Sequence, residues 1–107
     1  MAKVIFSPSA EEDLIEIVKY YREIDLNLAR KIFNLIKKKA QSLKNNPKRG
    51  RIVPELEKQN IIDYRELVEG NYRIIYSVKE YIMIHTIVDS RRNLEDILIK
   101  KLHSVIE

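Results

Sequence analysis

Residues 61–78 read IIDYRELVEGNYRIIYSV, and the fold is decided here. Two strand-like runs, Ile61 to Val68 and Tyr72 to Val78, flank the turn residues Glu69-Gly70-Asn71. In the second run Tyr72, Ile74, Tyr76 and Val78 share one face, while Arg73, Ile75 and Ser77 share the other. Each run carries an arginine directly after a tyrosine, Arg65 after Tyr64 and Arg73 after Tyr72. A guanidinium held on a strand can be aimed at a phosphate or a carboxylate.

Downstream, Lys79-Glu80 reads as a tight turn, and Tyr81 to Asp89 as a third strand ending in the pair Arg91-Arg92. This strand is apolar on both faces over Ile82 to Val88, apart from His85 and Thr86, which predicts an interior position in the sheet. Upstream, Val4 to Phe6 reads as a short strand. Ser7 then caps a helix with Pro8 at its first position, and Glu11, Glu12 and Asp13 suit the helix dipole. Ala10, Leu14, Ile17, Val18 and Tyr21 recur at helical spacing. Asp25 caps a second helix whose apolar face is Ala29, Ile32, Phe33, Ile36, Ala40 and Leu43, and Asn45-Asn46-Pro47 ends it. Residues 47–60 read as a loop. Asn93 caps a last helix with Leu94, Ile97, Leu98, Leu102 and Val105 on its packed side. The order β-α-α-β-β-β-α predicts one α+β domain over residues 1–107: an N-terminal strand, an αα-hairpin, a three-stranded antiparallel meander and a C-terminal helix, with the helices on one face of the sheet.

Composition narrows the function classes. The chain has no cysteine and two widely spaced histidines, so neither a disulfide framework nor a zinc site is expected, and no cofactor is called for. No apolar run is long enough to span a bilayer and the N-terminus does not read as a signal peptide, so the expected location is the cytoplasm. Net charge is +4. Lys37, Lys38, Lys39, Lys44, Lys48, Arg49 and Arg51 occur without an intervening acid, whereas acids gather near the start, at Glu11, Glu12, Asp13, Glu16 and Glu23. Such a patch favours an anionic partner, either nucleic acid or an acidic protein segment. The plainer reading of Lys37 to Lys39 is the wet side of a helix.

Taken together, FSPSAEEDL, NPKRGRIVPEL, YRELVEGNYRIIY and DSRRN resemble, in that order, the RelE/ParE superfamily, the toxin halves of bacterial type II toxin–antitoxin modules. The resemblance covers nearly the whole chain. It implies a compact toxin neutralised by a cognate antitoxin, which lays an extended or helical segment over it. Operator DNA is reached only through the antitoxin complex. The RelE-like branch cuts mRNA on the ribosome, whereas the ParE-like branch inhibits DNA gyrase.

In a RelE-like reading, Arg73 falls on the arginine that binds phosphate, and Arg65 adds charge on the preceding strand. Glu55 resembles a general base, and Arg91 or Arg92 takes the arginine position after the last strand. Two departures favour the ParE-like branch. No tyrosine follows Arg92, and Glu66 stands where a nuclease more often carries lysine, so it would repel phosphate. On that reading Arg65, Arg73, Arg91, Arg92, Lys48, Arg49 and Arg51 contact the target or the antitoxin. Plainer roles stand beside these: Arg73 paired with Glu66 or Glu69, Glu55 as a loop residue, His85 as a satisfied interior group, and His103 as a surface position. A third possibility is a non-toxic relic of the fold that still binds an antitoxin-like protein.

Overall fold

The structure is a computed structural model that describes residues 2–93, 95–98 and 100. In order along the chain come β1 (Val4–Phe6), α1 (Pro8–Arg22), α2 (Leu26–Gln41), β2 (Arg51–Ile52), α3 (Pro54–Glu57), β3 (Tyr64–Glu69), β4 (Tyr72–Val78) and β5 (Ile82–Asp89). Residues 95–98 are again helical. Of the last helix expected from the sequence, Leu94, Leu102, His103 and Val105 lie outside the described residues.

The sheet has five strands in the order β1-β5-β4-β3-β2. β1 runs parallel to β5, and every other pair is antiparallel. β5 is interior, as its apolar character predicts. The fifth strand is β2, in the segment read as loop. Two residues are too few to show alternation, yet Arg51 and Ile52 pair with Glu66 and Arg65. β3 begins at Tyr64 rather than Ile61, and Val53 N–H bonds the Tyr64 carbonyl at 3.0 Å, just beyond the pairing of β2.

Both long helices start where their caps require. Ser7 Oγ accepts from Ala10 N–H at 3.1 Å with Pro8 in the first turn, and Asp25 Oδ1 accepts from Asn27 N–H at 2.8 Å. Their apolar sides meet one sheet face. Ala10, Leu14, Ile36, Ala40 and Leu43 pack there against Leu67, Tyr72, Ile74, Tyr76, Ile82, Ile84 and Ile87. Phe33, expected on the packed side of α2, is instead 38% exposed. It lines a groove of about 620 Å³ between α1, α2 and β1, where Ile15 is also exposed.

The opposite sheet face is covered too, which corrects the expectation of helices on one face only. Val53, Leu56, Tyr64, Ile75, Val88 and Leu98 form a second core there, roofed by α3 and helical residues 95–98. β5 reaches both cores by alternation, and a bulge keeps Ile87 on the same face as Ile82 and Ile84: Ile75 faces Thr86 but Tyr76 faces Ile84, leaving His85 unpaired. Neighbouring groups fix the bulge. Ser7 Oγ donates to the His85 carbonyl at 3.0 Å, while Asp13 Oδ2 accepts from Thr86 Oγ1 at 2.6 Å and from Ile87 N–H at 3.0 Å.

Candidate functional site: a closed arginine–glutamate cluster

The β3–β4 hairpin sets the direction of each arginine. Its connection is a two-residue turn, Gly70-Asn71, with Gly70 at φ 60° and Glu69 facing Tyr72. Glycine is suited to this first central position, where a side chain would be strained. This register places Arg65 opposite Tyr76 and Arg73 opposite Val68. Arg65 therefore shares the helix-side face with Tyr76, while Arg73 shares the other face with Ile75 and Glu66. The two arginines do not form one surface.

Arg73 is enclosed. Its side chain is 8% exposed, that of Glu66 is 0% exposed, and that of Glu55 is 23% exposed. Arg73 Nε donates to Glu66 Oε1 at 2.7 Å, and Nη2 also donates to Glu66 Oε1. The other edge of the guanidinium meets Glu55 in a bidentate fork, Nη1 to Oε2 at 2.8 Å and Nη2 to Oε1 at 2.7 Å. Arg51 Nε completes the cluster by donating to Glu66 Oε2 at 2.7 Å. Two guanidinium and two carboxylate groups thus cancel in charge. Burial alone would raise the Glu55 pKa, but the hydrogen bonds from Arg73 and the charges of Arg73 and Arg51 outweigh it, and the net shift is downward. Burial also works against the charged form of Arg73, yet Glu55 and Glu66 hold its pKa above the ordinary value.

The pairing anticipated for Arg73 is therefore present with Glu66, as a buried bond rather than an exposed one. Glu55 sits on α3, not in an irregular loop. The part of this arrangement that the sequence hid is the Arg51–Glu66 contact, because it needs the two-residue strand β2.

Arg65 has a structural task. Its Nη1 donates to the Gly50 carbonyl at 2.7 Å and to the Lys48 carbonyl at 3.5 Å. Gly50 N–H in turn donates to the hydroxyl of fully buried Tyr76 at 3.0 Å. A Cβ on Gly50 would come within 2.4 Å of the Glu66 carbonyl oxygen and 2.6 Å of that hydroxyl, so only glycine fits. Arg49 Nη1 donates to Ser42 Oγ at 2.6 Å. Lys48 and Arg49 thus lie near Arg65 and the C-terminal end of α2, while Arg51 turns to Glu66 on the other face of the sheet.

Arg91 and Arg92 lie at the other end of the sheet, just after β5. Arg91 forks onto Asp89, with Nε to Oδ1 at 2.9 Å and Nη2 to Oδ2 at 2.6 Å. These bonds, with that from the Arg91 backbone N–H, lower the Asp89 pKa to about 2. Arg92 is exposed.

His85 is buried, with Nε2 2.7 Å from Ser77 Oγ and its ring edge-to-face with Tyr64. Burial, with a smaller push from the Lys79 charge, lowers its pKa to about 4, so it is neutral near pH 7. Tyr64, Tyr72 and Tyr76 are buried in the two cores. Among the described residues no group of three or more His, Cys, Asp or Glu side chains could hold a metal ion, and no helix is long and apolar enough to cross a membrane.

Comparison with known proteins places this architecture. No curated protein matches the chain. A solved structure described as "Chromosomal ParDE TA system from P. aeruginosa" superposes with a TM-score of 0.70 at 21% identity, over 83% of this chain and 96% of that one, and so shares the fold. The profile of the family described as "ParE toxin of type II toxin-antitoxin system, parDE" matches residues 4–94. That match runs from β1 through β5, and the chain belongs to the family of ParE toxins of type II toxin–antitoxin systems.

Proposed function

We propose that this toxin inhibits DNA gyrase and that a cognate antitoxin holds it inactive. The observation that carries this reading is the closed cluster around Arg73. A nuclease needs a guanidinium free to meet a phosphorane and a base free to take a proton. Here the two groups that resemble those parts, Arg73 and Glu55, are bonded to each other, and Glu66 takes the remaining edge of the guanidinium. A phosphate approaching Arg73, whose side chain is 8% exposed, would meet the more exposed Glu55 carboxylate first.

Inhibition by binding requires exposed contacts instead. Arg91 and Arg92 at one end of the sheet, and Lys48, Arg49 and Arg51 at the other, supply them; Arg65 and Arg73 support these ends from within. The groove between α1, α2 and β1 is our choice for the antitoxin segment, because exposed Ile15 and Phe33 offer an apolar seat with Lys19, Arg22 and Lys37 along it for an acidic chain. Toxin and target would meet in the cytoplasm, and operator DNA would be recognised by the antitoxin in the joint complex.

Inducible expression of the chain alone, with plasmid topology and mRNA integrity read from one culture, tests the proposal. Growth arrest with altered supercoiling and intact mRNA is the expected result. Arrest with codon-phased mRNA cuts would refute it in favour of a ribosome-dependent endonuclease, and unimpeded growth would indicate a non-toxic relic.

A further inference from the structure

The basic stretch from Lys37 to Arg51 divides in the folded chain. The Lys37 ammonium lies 4.5 Å from the centre of the Phe6 ring, on the groove side, and Arg51 is bonded to Glu66. What remains is Lys38 and Lys39 in the last turn of α2, Lys44 just beyond it, and Lys48 with Arg49 in the following loop. No carboxylate pairs with any of these among the described residues.

The loop is folded back so that Arg49 is held at the end of α2. Lys38 and Ser42 lie one helical turn apart, on the same side. Ser42 Oγ donates to the Lys39 carbonyl at 2.5 Å and accepts from Arg49 Nη1 at 2.6 Å, which folds the loop back onto the helix end. Asn46 N–H bonds the Leu43 carbonyl and Arg49 N–H bonds the Asn46 carbonyl, closing the loop on itself. Arg65 clamps its far side through the Lys48 and Gly50 carbonyls. The negative end of the α2 dipole eases the mutual repulsion.

We propose that Lys38, Lys44, Lys48 and Arg49 form a contact surface for the phosphate backbone of duplex DNA. The patch is exposed, free of acids and held in one shape, as a sequence-independent phosphate contact requires. A peptide partner would also need apolar anchors, and the exposed large hydrophobic residues all lie outside residues 36–61. The contact does not depend on gyrase being the target, although an enzyme that holds DNA would present such a backbone.

Fluorescence anisotropy of the purified full chain with a short random-sequence duplex tests this. Four phosphate contacts give a slope of log K against log salt of about −3.6, so binding weakens roughly a hundredfold from about 50 to about 200 mM salt. The variant Lys48→Gln/Arg49→Gln, checked for its fold by circular dichroism, reduces the slope to about −1.8. The variant Lys19→Gln/Arg22→Gln on α1 carries the same charge change and leaves the slope unaltered. Absence of duplex binding at low salt overturns the proposal, as does an unchanged slope in the first variant. Equal binding to single-stranded RNA overturns it too, and so does capture of poly-glutamate in place of duplex. Gyrase inhibition by the same preparation is scored separately. Inhibition without DNA binding overturns this contact alone. Duplex binding with the expected slope and an active gyrase upholds the contact and overturns the proposed target.

Discussion

Replacing Arg73 with methionine probes the cluster directly, because it removes the charge and keeps much of the side-chain volume. Glu66 would be left with its side chain 0% exposed and one remaining cation, Arg51. Removing one partner of a buried ion pair costs about 3–5 kcal/mol. The low end applies for two reasons. Arg51 Nε stays 2.7 Å from Glu66 Oε2, and Glu55, at 23% exposed, is free to turn to water. We therefore expect a loss of about 3 kcal/mol, a large share of the roughly 5–15 kcal/mol that holds a domain together. Urea unfolding followed by circular dichroism reads it. With a slope of about 1–3 kcal/mol/M the midpoint falls by about 1–3 M. The double variant Arg73→Met/Glu66→Leu removes the stranded charge as well, and stability returns to within about 1 kcal/mol of the parent. A loss below about 1 kcal/mol for Arg73→Met alone would refute the reasoning, because exposed pairs have that magnitude. Arg73 would then be accessible to solvent and to phosphate, and the argument against nuclease chemistry would fall with it.

Two further outcomes follow from the geometry. Gly50→Ala drives a Cβ into the Glu66 carbonyl and the Tyr76 hydroxyl, a backbone and a fully buried ring, and should cost about 3 kcal/mol or more in the same urea assay. His85 gives stability a pH dependence. The unfolded chain takes up a proton there near pH 6.5, whereas the folded chain resists until about 4. The His85 contribution is thus fully present above pH 6.5 and is lost as the pH falls toward 4. His85→Gln should remove that part of the slope, and a wild-type-like slope in the variant would exclude His85 as its source; the imidazole resonances should titrate near pH 4.

Much of the fold was legible in the residues themselves. The alternation through Tyr72 to Val78 gives β4 to the residue, and Ser7-Pro8 and Asp25 start both long helices where expected, because a cap is a local event that needs no knowledge of the rest of the chain. Features that depend on pairing were harder to read. β2 is two residues long, and its identity lies in its partner Glu66–Arg65 rather than in its own pattern. The site turned on a single residue of register. A three-residue turn at Glu69-Gly70-Asn71 sets Val68 against Tyr72 and puts Arg65 on the same face as Arg73. The actual turn is Gly70-Asn71, which shifts the pairing by one and sends the two arginines to opposite faces. The groove residue Phe33 fits the helical period of the packed side of α2 but lies at its edge, where periodicity does not separate burial from display.

The parallel pairing of β1 with β5 has a consequence for how the toxin comes into being. Val4 pairs with Ile82, and the Ser7 hydroxyl bonds the His85 carbonyl across 78 residues of chain. At about 5–20 residues per second, roughly 4–16 s separate the synthesis of those two partners. During that interval α1 and α2 have emerged, but the sheet face they cover is still being made. Closure of the β1–β5 pairing therefore waits for β5, and it uses contacts of the long sequence separation that folds slowly. A nascent or truncated chain ending before β5 lacks the bulge, the Asp13 bonds, Ile82, Ile84 and Ile87 of one core, and Val88 and Leu98 of the other. Premature termination upstream of β5 should yield a harmless product, and the finished sheet becomes available to a partner only once β5 has been made.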